Sequence, residues 1–210
     1  MARILETLFL DGPAGRLEAL HEGPEEDVDI VRAAVVCHPH PLFGGTLHNK
    51  VVFRLARAAR NAGSVVLRFN FRGVGQSGGK HDDGRGEQDD VRTAVQFMRE
   101  RHPKLPLVLS GFSFGASMSL HVACKDGGFE AVIAAGTPVN RSTFGFLSDC
   151  STPKHFIHST NDEHGSRERM EAAFEAAHGP KKLDWIEAKD HFFVDNLDEF
   201  ERCAQRAFDL

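Results

Sequence analysis

Between Leu105 and Leu120 the sequence reads LPLVLSGFSFGASMSL, an apolar run set against a helix-forming run with almost no connection between them. Leu107, Val108 and Leu109 have the unbroken apolar character of a strand covered on both faces, which is how parallel strands read. Ala116, Met118, Leu120, Val122 and Ala123 then continue as a helix. Gly111-Phe112-Ser113-Phe114-Gly115 lies between, the pattern G-x-S-x-G on a strand-to-helix turn. So tight a turn forces its central residue into a strained conformation and leaves room only for small residues two positions before and after it. Both are glycine.

Strand-like and helix-like stretches alternate along the rest of the chain, the pattern of a parallel sheet covered on both faces. ILETLFL and GRLEALHEG read as a hairpin around Asp11-Gly12-Pro13, followed by the strand VRAAVVCH. A helix is expected from about residue 49 to 62, with Gly63 as its stop. SVVLRFNF is a strand, and a helix is expected from about Glu87 to Arg101. EAVIAAG, PKHFIHS and KLDWIEA complete the strands. SRERMEAAFEAAHG reads as a helix capped by Ser166 and stopped by Gly179, and Asp195 is expected to cap a last helix ending near Phe208. With no repeat and no linker, a single domain over residues 1–210 is expected.

A net charge of −5 argues against nucleic acid as partner. The N-terminal MARILETLFLDGPAG lacks the apolar core of a signal peptide, and no run reaches the ~20 apolar residues of a membrane helix. A soluble, cytoplasmic protein without membrane association is expected. Cys37, Cys124, Cys150 and Cys203 are widely spaced with no C-x-x-C pair and read as thiols.

Four stretches lie where strands end: HPHPLFGGT, RFNFRGVGQSGG, GFSFGAS and KDHFF. With these motifs the chain resembles the α/β-hydrolases, most closely the small, lidless bacterial members that share features with dienelactone hydrolases. The resemblance covers nearly the whole chain. It implies a twisted, mostly parallel sheet of about eight strands with helices on both faces and no substantial cap. The segment TPVNRSTFGFLSDCST, where many relatives insert a cap, is long enough only for a turn or short helix.

The resemblance implies a triad in the order serine, acid, histidine, which falls on Ser113, Asp162 and His191. A serine hydroxyl attacks at neutral pH only if a base takes its proton, and imidazole suits that task. A buried carboxylate then fixes the imidazole tautomer. Relatives usually carry a glycine shortly before the acid; here Ser159-Thr160-Asn161 stands there, which leaves Glu163 as an alternative to Asp162. Asp190, beside His191, reads as a solvated or loop-fixing residue. The oxyanion donors are expected to be the backbone N–H of Phe114 and of His40, with Leu42 next, because Pro39 and Pro41 have none to give.

The reaction implied is cleavage of carboxylic esters through an acyl-serine, with a small acyl compound as substrate and no cofactor. Thioesterase, peptidase and a non-catalytic binding module are the alternatives. Phe43, Leu42, Phe112, Phe144 and Phe192 are candidates to line the acyl pocket, and Arg72 and Arg141 to anchor a charge. His38, His40 and His48 have spacing compatible with a metal, but no nearby carboxylate or cysteine completes a set, and none is expected.

Overall fold

A computed structural model describes residues 4–24 and 27–209; residues 1–3, where the stretch weighed above as a leader begins, lie outside it. The strands are β1 (Leu5–Gly12), β2 (Gly15–Glu22), β3 (Arg32–Cys37), β4 (Ser64–Phe69), β5 (Leu107–Phe112), β6 (Ala131–Ala135), β7 (Lys154–Ser159) and β8 (Lys181–Ile186). They form one sheet in the order β1-β2-β4-β3-β5-β6-β7-β8. The β1–β2 and β2–β4 pairings are antiparallel and all others parallel.

Side chains alternate between the two faces of a strand, so each central strand feeds two cores. Ala33, Val35 and Cys37 of β3 enter one cluster while Ala34 and Val36 enter the other. The first cluster is covered by α2 (Arg85–Arg101), α3 (Phe114–Asp126) and Met170 of α4 (Arg167–Ala176); the second by α1 (Lys50–Asn61) and α5 (Leu197–Phe208). This is the α/β-hydrolase arrangement that the motifs imply. The segment between β6 and β7 holds only a 3-10 turn, Gly145–Asp149, and forms no cap.

The departures are local. α2 begins at Arg85, two residues before the expected start, because Glu87 reaches back to the N–H groups of Asp82 and Gly84 at 2.9 and 2.8 Å. Ser166 caps α4 as expected, but α4 ends at Ala176, short of Gly179. Asn196, not Asp195, occupies the N-cap of α5; Asp195 takes a φ of 68° in the turn before it.

A larger correction concerns the cysteines. Cys124, in the last turn of α3, is disulfide-bonded to Cys150, which follows the 3-10 turn, while Cys37 and Cys203 are free and buried. The segment after β6 folds back across the end of α3, where the Thr152 hydroxyl donates to the Ala123 carbonyl at 3.0 Å. The two sulfurs meet although the cysteines stand 26 positions apart in sequence.

The strand-to-helix junction has no spare room. A Cβ on Gly111 would lie 2.4 Å from the Gly115 carbonyl carbon, and one on Gly115 2.3 Å from the Cys37 carbonyl oxygen. The obstacles are backbone, so they cannot swing aside. Gly115→Ala is expected to lower the unfolding free energy by about 3 kcal/mol in urea denaturation; an unchanged midpoint would contradict the packing described.

Candidate functional site

Ser113 stands between β5 and α3 with φ 57° and ψ −117°, a conformation L-residues rarely adopt. It is held there by its N–H donating to the Ala135 carbonyl at 2.9 Å and its own carbonyl accepting from Ser117 N–H at 3.0 Å. Its side chain faces a cavity of about 830 Å³ over the ends of the parallel strands. The sequence placed the strain and the glycines; the structure bears out both.

His191, in the loop after β8, lines the same cavity. Its Nδ1 lies 2.7 Å from Asp162 Oδ2 in the loop after β7, with both side chains buried. A carboxylate only accepts, so Nδ1 carries the proton and Nε2 keeps its lone pair. That Nε2 is buried and has no hydrogen-bond partner among the described residues. The ring packs on Phe112, centroids 4.8 Å apart.

Asp162 also accepts from the backbone N–H groups of His164 and Gly165, at 2.8 and 3.0 Å. Burial raises its pKa, but the hydrogen bond from His191, the charges of His191 and His158 and the His164 N–H outweigh burial, leaving it below the ordinary aspartate value. Glu163 points elsewhere: its Oε2 accepts the His191 backbone N–H at 3.1 Å, so it holds the loop rather than the ring. Asp190 fixes the same loop, taking the N–H groups of Phe192 and Val194 at 2.9 and 3.1 Å.

Across from His191 runs the loop after β3. His38 is fully buried, with Nδ1 2.6 Å from the Pro39 carbonyl and Nε2 accepting the Phe71 N–H at 3.0 Å. Both nitrogens are occupied, and burial pushes the ring's pKa down to about 4. His38 therefore stitches this loop to the one after β4. The Leu42 N–H is taken by His40 Nδ1 at 3.2 Å. The N–H groups of His40 and Phe114 have no acceptor among the described residues. Phe114 begins α3, whose first turn leaves such N–H groups unpaired and carries partial positive charge.

Of the five pocket candidates, Phe43 and Phe192 line the cavity. Phe112 lies fully buried beneath the His191 ring, and Phe144 packs into the core against Phe146. Leu42 is exposed and not among the lining residues. Arg72 is no anchor, since its guanidinium is spent on buried Asp90 at 2.7 Å; Arg141 does line the cavity. Sequence reasoning missed His81, Met118, His121 and His164 on the cavity wall. His81 comes from a glycine-rich loop whose path is set by contacts far away in sequence, and Met118 and His121 could have been found by following helical periodicity one and two turns beyond Ser113.

Of the three histidines spaced for a metal, His38 has no free nitrogen. A different trio, His155, Asp184 and Cys203, brings its ligand atoms within 4.8 Å of one another. Those atoms already bond one another, His155 Nε2 to Asp184 Oδ2 at 2.6 Å and Cys203 Sγ to the same oxygen at 3.5 Å. Lys182 Nζ occupies that oxygen too, at 3.1 Å. Among the described residues no helix is long and apolar enough to cross a membrane.

Residues 31–146 match the family described as serine aminopeptidase, S33. A solved structure from Xanthomonas campestris, described as an a/b serine hydrolase without lid, superposes with a TM-score of 0.90 at 37% identity, covering 96% of this chain and 92% of that one. An alpha-beta serine hydrolase homologue from Coxiella burnetii superposes with a TM-score of 0.91 at 33% identity, covering 96% of each chain. An uncharacterized protein of Rickettsia prowazekii is 32% identical over 206 residues, 93% of this chain and 85% of the relative. The chain belongs to this family of hydrolases, as one of the small, lidless serine hydrolases of the α/β-hydrolase superfamily.

Proposed function

We propose that the protein cleaves carboxylic esters of small acyl compounds through an acyl-Ser113 intermediate. The observation that carries the reading is the His191 ring, fixed by Asp162 at 2.7 Å with its other nitrogen unpartnered among the described residues in the cavity that Ser113 lines. Ser113 Oγ attacks the acyl carbon while its proton passes to His191 Nε2. The carbonyl oxygen becomes an oxyanion and takes hydrogen bonds from the N–H groups of Phe114 and His40. The tetrahedral intermediate collapses, the ester C–O bond breaks, and Nε2 returns the proton to the leaving alcohol. Water then adds to the acyl carbon, giving a proton to Nε2, and the acid departs as that proton returns to Ser113 Oγ. The step needs no cofactor.

Asp162 serves as the acid, stabilising the imidazolium that forms, and Glu163 sets the position of the His191 backbone. Asp162→Asn is expected to lower kcat about 10⁴-fold by favouring the wrong tautomer. Glu163→Gln, which keeps an acceptor for the His191 N–H, should cost less than about tenfold. Equal losses in steady-state assays would contradict this division.

The match to the family described as serine aminopeptidase gives peptide cleavage a specific claim as second reading. Matched acyl groups presented as nitrophenyl ester, thioester and anilide decide between them. The ester is expected to turn over with the largest kcat/KM, and intact mass should record the acyl group on the protein during turnover. An anilide cleaved as fast as the ester overturns the reading in favour of a peptidase.

A further inference from the structure

His158 is a buried histidine that the mechanism above does not use. It stands at the second-last position of β7, with Trp185 of β8 edge-on at 5.4 Å. Its Nε2 lies 2.7 Å from the Gly165 carbonyl oxygen and 3.4 Å from Asp162 Oδ2. Both partners only accept, so the proton is on Nε2. Nδ1 is buried with no hydrogen-bond partner among the described residues, which suits a bare lone pair better than an unsatisfied N–H. The ring fits tightly beneath the loop: a Cβ on Gly165 would lie 2.7 Å from Nε2 and from Cε1.

Asp162 therefore has donors on both oxygens. Oδ1 accepts from two backbone N–H groups and Oδ2 from His191 Nδ1 at 2.7 Å, while His158 Nε2, whose hydrogen bond goes to the Gly165 carbonyl, stands 3.4 Å from that same Oδ2. We propose that His158 is a positioning residue for the hydrolysis: its Nε2–H pins the loop through Gly165, and the positive end of that N–H dipole, close to Asp162 Oδ2, limits how strongly the carboxylate holds the imidazolium. The inference rests on the proposed roles of Ser113, Asp162 and His191.

Burial, against the pull of Asp162 and the Gly165 carbonyl, keeps His158 below the ordinary imidazole range, so it stays neutral and works as a donor rather than as a charge. The other charged or titratable groups facing His191 are Glu163 at its backbone, His164 edge-on at 4.7 Å and Arg141, whose Nε lies 3.4 Å from His164 Nδ1. Substitution at position 158 leaves all three in place. A carboxylate relieved of a nearby N–H dipole is a stronger base and favours the protonated form of its remaining partner. Losing the His158 donor should therefore hold the His191 imidazolium to a higher pH.

The test is the second-order rate of Ser113 labelling by a fluorophosphonate across pH, in the full chain, for wild type, His158→Phe and His158→Gln. His158→Phe keeps a flat ring and removes the donor, and its acid limb is expected to move upward by about half a pH unit or more. His158→Gln restores an N–H donor and should return the midpoint toward wild type. A lowered plateau in His158→Phe with an unmoved midpoint, or a midpoint that stays displaced in His158→Gln, overturns the inference. A wild type not labelled at Ser113 overturns the underlying reading instead. Should His158→Phe fail to fold, nitrogen-15 NMR of the wild type decides: the Nε2–H tautomer is expected for His158 between about pH 5 and 8. A proton on Nδ1, or a doubly protonated ring, overturns it.

Discussion

Ser113→Ala is expected to reduce kcat toward esters by about a millionfold. Three other described hydroxyl residues line the cavity, but Ser117 lies within α3 with its backbone N–H bonded to the Ser113 carbonyl, and Ser142 and Thr143 lie in the connection after β6, away from the head of that helix. Only Ser113 stands on the strained turn at the head of α3, beside the Phe114 N–H, which has no acceptor among the described residues. His191→Ala should cost about as much, because a serine without its base and a base without its serine are equally idle. The double variant should then be little worse than either single one. Steady-state kinetics on folded variants checks this, and losses that multiply in the double variant would mean that the two residues act separately.

Acid should destabilise the fold well above the range in which carboxylates titrate. His38 and His21 are both buried, and burial pushes each down to about 4 from the ordinary value of 6.5. Between those values the unfolded chain binds protons that the native protein refuses, so stability falls as pH falls. His38 alone contributes a loss of about 2 to 3 kcal/mol by pH 4.5, and His21 acts in the same direction. Asp162, held below the ordinary aspartate value, adds its loss only at lower pH, as it takes up a proton in the native state. Urea denaturation at pH 7 and pH 4.5 measures the difference, and His38→Gln, which cannot take the proton, should flatten the slope. Equal stability at the two pH values would contradict the neutral, hydrogen-bonded state assigned to His38.

The fold was legible because its signals are local. Apolar runs such as Val108-Leu109 mark strands covered on both faces, helical stripes mark α1 and α2, and the glycines at 111 and 115 mark a junction where backbone meets backbone. The pairing of His191 with Asp162 was legible through motif order, although Glu163 could be set aside only once its carboxylate was seen on the His191 backbone. What escaped depends on how distant segments fold against each other. Phe112 and Phe144 sit in loops near the active edge by sequence, yet one is driven under a ring and the other into the core. The Cys124–Cys150 bond arises because a short excursion folds back over the end of α3, and no spacing rule encodes that. His158 reads as one more residue of an apolar strand until the loop after it closes over its ring.

Everything proposed for the site depends on Ser113 being an activated nucleophile. Labelling with a fluorophosphonate, read by intact mass and peptide mapping beside His191→Ala, measures this without knowledge of the substrate. One adduct on Ser113 in the wild type, lost in His191→Ala, is the predicted result. A folded wild-type protein that takes up no label would contradict the account and leave a hydrolase fold serving as a binding module.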